Sequence, residues 1–265
     1  MKQLTFLLWM LVCFSSCKKI ISIDTENAPP QIVIEAKIND RLIDQQIRIT
    51  KTVGYTDASI YPTVSGATVS VSDNRGNNYV FNETAAGVYT NRMRGVYGVT
   101  YTMKVVAEGK TYTASSKMPN LVRMDSIGII SNTFFGNERR TTAAYLLDPA
   151  NETNFYRFTL NRNGINSNRI YVSNDRLTNG NKLRIQLYFN AEDDDDEDLL
   201  SGDKVAVEME GIDSNVFDYW YALSSQSGRG PNQGTTPANP TSNISNDALG
   251  YFSANTYQKI TATVK

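Results

Sequence analysis

The 265-residue chain carries 26 Lys and Arg against 27 Asp and Glu, and it contains no histidine and two cysteines. A formal net charge of −1 gives no global field for nucleic acid or for an anionic surface. Without histidine there is no Ser-His-Asp or Cys-His catalysis, no histidine zinc site and no histidine pH switch; carboxylate chemistry, Ser-Lys chemistry, or binding without chemistry remain.

The chain opens with Met1-Lys2-Gln3 and an apolar run from Leu4 to Phe14. That run is too short for a permanent membrane helix and suits the core of a secretory signal. Ser15 and Ser16 stand directly before Cys17, and Leu11-Val12-Cys13-Phe14-Ser15-Ser16-Cys17 resembles a bacterial lipobox. The resemblance implies cleavage before Cys17 and acylation of that cysteine, palmitate included, which supplies more than one lipid chain and hence stable attachment. Lys18 and Lys19 occupy the place of the aspartate that retains lipoproteins at the inner membrane, so the outer membrane is expected. Cys13 falls in the leader, so the mature part has no disulfide framework and no cysteine metal cluster. Residues 1–16 are read as signal and 17–30 as a lipidated tether, stiffened at its end by Pro29-Pro30.

Beyond the tether the signals are those of strands. Ile32, Ile34, Ala36 and Ile38 alternate with Val33, Glu35 and Lys37, and Ile43, Gln45, Ile47 and Ile49 repeat the period of two. Ala67 to Ser72 is a strand ending in the turn Asp73-Asn74-Arg75-Gly76, and Tyr79-Val80-Phe81 resumes the sheet. Thr100 to Val106 is another strand, which Glu108-Gly109 turns into Thr111-Tyr112-Thr113. Short strands with Gly and Asn turns read as a β-sandwich over residues 31–118. Tyr101, near the start of a late strand, is similar to the tyrosine corner of immunoglobulin-like folds, and Gly87-Val88-Tyr89 and Gly95-Val96-Tyr97 resemble prealbumin-like modules.

After Pro119 the pattern restarts, and residues 119–265 are read as a second β-rich domain. Strands are expected from Val122 to Ile130, over Ala143 to Leu147, Asn154 to Leu160, Arg169 to Val172, Lys182 to Phe189 and Lys204 to Met209, with a last one from Lys259 to Val264. Asp213-Ser214-Asn215 caps one short helix with Val216, Trp220 and Leu223 on one face, ended by Gly228. A polar loop follows from Gly230 to Asn243. The fold class expected is all-β: an immunoglobulin-like or prealbumin-like sandwich, then a second β-rich domain with one helix.

Several stretches together resemble one family. They are Ser65-Gly66-Ala67-Thr68-Val69-Ser70-Val71, Gly87-Val88-Tyr89, Gly109 to Ala114, Asp148-Pro149 with Asn154 to Phe158, Tyr219-Trp220, Asn239 to Ile244, and Leu249-Gly250-Tyr251-Phe252. In this order they are similar to domain-of-unknown-function family 4249, outer-membrane lipoproteins of the Bacteroidota lineage. The resemblance implies a gene neighbour encoding a TonB-dependent outer-membrane receptor, and so an accessory role in binding or uptake of a nutrient. It assigns no substrate.

Four features carry possible site chemistry. The acidic run Glu192 to Asp198 reads as a solvated loop or as a calcium site with Asp193, Asp195 and Glu197 as ligands; the EF-hand spacing is missing. Phe134-Phe135 before Gly136, and Trp220 with Tyr219 and Tyr221, are candidates for partner or glycan contact, against packing of Trp220 into the sheet. Asp125-Ser126-Ile127 resembles a short O-glycosylation motif, against a plain strand start. A carboxylate-based hydrolase needs two carboxyls paired in space, and no pair is picked out by sequence. The expected function is a non-enzymatic lipoprotein that assists a TonB-dependent receptor, with a glycan-binding surface lipoprotein as the alternative and no nucleic-acid partner.

Overall fold

The computed structural model describes residues 29–54, 60–134, 137–190, 198–226 and 238–265. Cys17, Phe135, Asp193, Asp195, Glu197, Gly228 and most of the 230–243 loop lie outside the described residues, as does the side chain of Phe134. The fold is all-β with one helix.

In the first half the strands are β1 (Ile32–Asn39), β2 (Ile43–Lys51), β3 (Thr68–Asp73), β4 (Asn78–Ala85), β5 (Val88–Met93), β6 (Thr100–Ala107) and β7 (Lys110–Lys117). The alternation in β1 sends Ile32, Ile34, Ala36 and Ile38 into the core, while Glu35 stays in solvent. β4 serves two layers: its residues Asn78–Phe81 pair with β3, and from Asn82 onward it pairs with β5, with a bulge between Glu83 and Ala85. One layer runs β1-β2-β5-β4 and the other β4-β3-β6-β7. They close on a shared core that includes Ile34, Ile47, Val71, Tyr89, Tyr101, Met103 and Val105, a sandwich-like arrangement. The Tyr101 hydroxyl accepts a hydrogen bond from Val96 N–H at 2.9 Å, tying the strand start to the backbone just upstream as in a tyrosine corner.

The second half adds β8 (Met124–Phe134), β9 (Asn137–Leu147), β10 (Phe155–Arg162), β11 (Ile165–Asn166), β12 (Tyr171–Asn174), β13 (Lys182–Leu187), β14 (Lys204–Ile212), helix α1 (Ser214–Gln226) and β15 (Leu249–Thr263). The three-stranded sheet β13-β9-β8 packs on β10 and β14 through Met124, Ala144, Leu146, Leu187, Tyr156, Phe158, Val207 and Met209. Buried carboxylates brace its loops: Asp148 accepts from the Tyr156 hydroxyl at 2.5 Å, and Asp175 accepts from Asn154 N–H at 2.9 Å.

The C-terminal strand joins the halves. Residues 249–255 of β15 pair in parallel with β1, and residues 256–263 pair antiparallel with β14. The result is one hydrogen-bonded path, β11-β10-β14-β15-β1-β2-β5-β4-β3-β6-β7. The core of the first half also takes Ile244, Ala248, Phe252 and Ala254 from the chain's end. Ser116 on β7 strengthens the junction: its hydroxyl accepts from Ala254 N–H at 2.8 Å and donates to Asp213, the residue that caps α1.

Candidate functional site at the seam of the two halves

The seam strands present their outer face to α1. In β10 the even residues Tyr156, Phe158 and Leu160 enter the core, so Phe155 and Arg157 point the other way. Register carries that face across the sheet: Arg157 lies opposite Glu210, Glu210 opposite Tyr257, Tyr251 opposite Glu35, and Glu35 opposite Arg48. The face therefore runs from β10 over β14, β15 and β1 to β2.

Helix α1 covers part of it. Asp213 starts the helix as an N-cap, accepting from Val216 N–H at 2.9 Å. Val216 and Phe217 are buried against Ile212 and Tyr251, and the Phe217 ring meets Phe155 at 5.1 Å. Trp220 meets Tyr251 edge-on at 5.1 Å, and the Arg157 guanidinium lies 4.0 Å from the Trp220 ring centroid. Tyr219 contacts both Trp220, at 5.5 Å, and Tyr251, at 5.1 Å. Tyr221 stacks on Phe217 and is 57% exposed. These aromatics form a shelf that packs α1 over β10 and β15.

Beneath the shelf lies a charge centre. The Glu210 carboxylate accepts from Lys37 Nζ at 2.8 Å and from Arg157 Nη1 at 2.9 Å, so one acid bridges a strand of the first half and a strand of the second. Burial alone raises the Glu210 carboxyl, but the two cations outweigh it and hold the group below the usual carboxylate range. Burial raises Tyr251 and Tyr219, and burial with Glu208 pushes Tyr257 up to about 12.

Beside the shelf the sheet is bare. A groove of about 340 Å3 runs over β1 and β2, its lining including Glu35, Lys37, Asp44, Gln46, Arg48 and Tyr251. Other grooves near the helix start (Ser115, Asn215, Asp218) and at the chain end (Glu138, Arg140, Lys265) are likewise open and polar.

The structure places Trp220 half-buried, its ring face taken by Arg157, so packing uses much of it, and Tyr219, also half-buried, packs on Tyr251, which lines the groove. Phe134 ends β8, opposite Asn137, at the tip of a two-stranded hairpin whose nearby residues Ser131, Asn132, Thr133, Glu138 and Arg139 are exposed. Asp125 and Ser126 are exposed in β8 near its start. Among the described residues, no three acidic or thiol side chains come together in a way that could hold a metal ion. Sequence reasoning did not single out Glu35, Arg48, Arg157 or Glu210. Alternation had marked the Glu35 side of β1 as solvent-facing, but the pairing of β1 with a strand more than 200 residues later left no local signal.

No curated protein matches the chain. The family model described as "Domain of unknown function (DUF4249)" matches residues 18–261 of the 265, and the protein belongs to that family.

Proposed function

We propose that the protein is a non-enzymatic binding lipoprotein, held to the outer membrane by lipid on Cys17, and that it serves as accessory to a TonB-dependent receptor in nutrient uptake. The observation that carries the binding reading is the seam face: an aromatic shelf of Tyr219, Trp220 and Tyr221 beside an open polar groove, built on strands from both halves. The lipid anchor is supported by the run Leu4 to Phe14 ending at Ser15-Ser16-Cys17, and by the exposed Pro29-Pro30 entering β1. The receptor partnership is supported by the family resemblance, with its Bacteroidota lineage. A hydrolase finds no support at this face: a general acid needs a raised carboxyl, and Glu210 is held down by two cations.

The test is affinity purification from native outer membranes in mild detergent, with a tag after the exposed Lys265, followed by mass spectrometry. Recovery of a TonB-dependent receptor in comparable amount is the expected result. Recovery of the protein alone would remove the receptor from the account.

A further inference from the structure

The groove beside the shelf has chemistry of its own. Its aromatic side is Tyr251, in the lining, with Tyr219, whose ring packs on Tyr251 at 5.1 Å and whose hydroxyl makes no hydrogen bond among the described residues. Tyr251 stands opposite Glu35 in the β1–β15 register, so Tyr219 packs on the direct cross-strand neighbour of Glu35. The floor is Glu35, Asp44, Gln46 and Arg48, all exposed; Asp44 lies 3.9 Å from Arg92, and its charge with that of Glu35 stands against Arg48 and Lys37. Glu35 and Arg48 stand opposite in the β1–β2 register, yet neither makes an ion pair or side-chain hydrogen bond among the described residues. Lys37, the other cation in the groove, is engaged by Glu210. The groove thus offers a carboxylate, a guanidinium and an amide with open hydrogen-bonding positions, an aromatic wall, and charges that balance.

This set selects against strongly charged ligands. An anion would meet Glu35, and a cation would meet Arg48 and Lys37. A neutral polyhydroxylated ligand suits every part: its hydroxyls both donate to Glu35 and accept from Arg48, and its C–H faces lie against an aromatic ring. We propose that this groove binds a short neutral saccharide, with Glu35 and Arg48 as the hydroxyl-binding pair and Tyr219 as the stacking wall. The assignment rests on the reading that the protein works by binding, and it names the ligand class of that same seam face.

The full-length protein, extracted in mild detergent, is applied to an array of neutral oligosaccharides built from glucose, mannose, galactose and xylose, with acidic glycans and charged peptides alongside. The hit is then titrated calorimetrically against Glu35→Ala, Arg48→Ala and Tyr219→Ala. Binding to a neutral saccharide is expected, weakened on the order of tenfold by each of the first two variants, since each removes charge-assisted hydrogen bonds. Because Glu35 and Arg48 are exposed and otherwise unbonded, their variants should keep the parent's melting temperature, which separates lost binding from lost fold. Binding of no neutral saccharide, preference for a charged ligand, or affinity unchanged in both Glu35→Ala and Arg48→Ala would overturn the assignment. Receptor co-purification with the parent protein separates the two claims: a parent that recovers the receptor but binds no neutral saccharide removes the ligand and leaves the accessory role, and a parent that binds the saccharide but recovers no receptor does the reverse.

Discussion

At the scale of single residues, a few polar groups hold positions that apolar packing alone would leave loose. Tyr101 is fully buried, and its hydroxyl anchors Val96 N–H. Tyr101→Phe should cost about 1 kcal/mol in urea unfolding, the usual worth of one such bond. Tyr112→Phe, at a buried tyrosine with no hydroxyl bond among the described residues, should cost almost nothing. Asp213 both caps α1 and accepts from Ser116, so Asp213→Ala should lower stability by about 2 kcal/mol, while Asp213→Asn, which can still cap, should recover much of that. Glu210 predicts a pH effect. Its folded value lies below its unfolded one, so its contribution is fully present above about pH 4.5 and is lost as pH falls through the lowered folded value. Acid titration of unfolding free energy should show this loss in the parent and not in Glu210→Gln. The variant itself should be less stable at pH 7 by about 3 kcal/mol, because Arg157 and Lys37 are left without their anion.

At the scale of elements, the sequence was most readable where one face of a strand meets water. β1, β2, β3, β6 and β10 alternate, and their expected positions agree with the structure to within a residue or two at most ends. The short helix after Asp213 is also where the capping residue and apolar spacing put it. β15 was read only from Lys259 onward. Its first half, residues 250–256, is buried throughout, with the core on one side and α1 on the other, so no period of two survives to mark a strand. β14 is hidden in the same way beyond Met209. The candidate site suffered most from this, since its floor depends on which strands become neighbours. Phe134 and Trp220 were found by residue type, whereas Glu35, Arg48 and Glu210 needed the pairing. Gly250 marks the start of that pairing. It has φ +93°, and a Cβ there would stand 2.1 Å from the Ile34 carbonyl oxygen of β1. Backbone cannot yield as a side chain would, so Gly250→Ala should cost about 3 kcal/mol or more, by strain and by separation of β15 from β1. Gly66→Ala, also at positive φ but with open space around it, should cost about 1 kcal/mol. Thermal denaturation of the two variants side by side checks the difference.

At the scale of the whole molecule, the claim on which the site depends is that β15 makes the two halves one body. It closes the edge of β1, feeds Phe252 and Ala254 into the first core, and continues as the neighbour of β14 in the second. The seam face exists only while both pairings hold, because Lys37 and Arg157 reach Glu210 from opposite sides. Cooperative unfolding of the chain follows from such sharing. The chain has two tryptophans, Trp9 and Trp220, so within residues 17–265 the fluorescence of Trp220 reports the seam alone, while far-UV circular dichroism reports strands throughout. The most direct measurement is equilibrium urea unfolding of residues 17–265 followed by both signals. The account predicts coincident transitions with one midpoint, and a midpoint that moves for both signals together in Gly250→Ala. Two separated transitions, or a circular dichroism change that proceeds while Trp220 fluorescence stays native, would show that the halves fold apart and that the seam is not a fixed site.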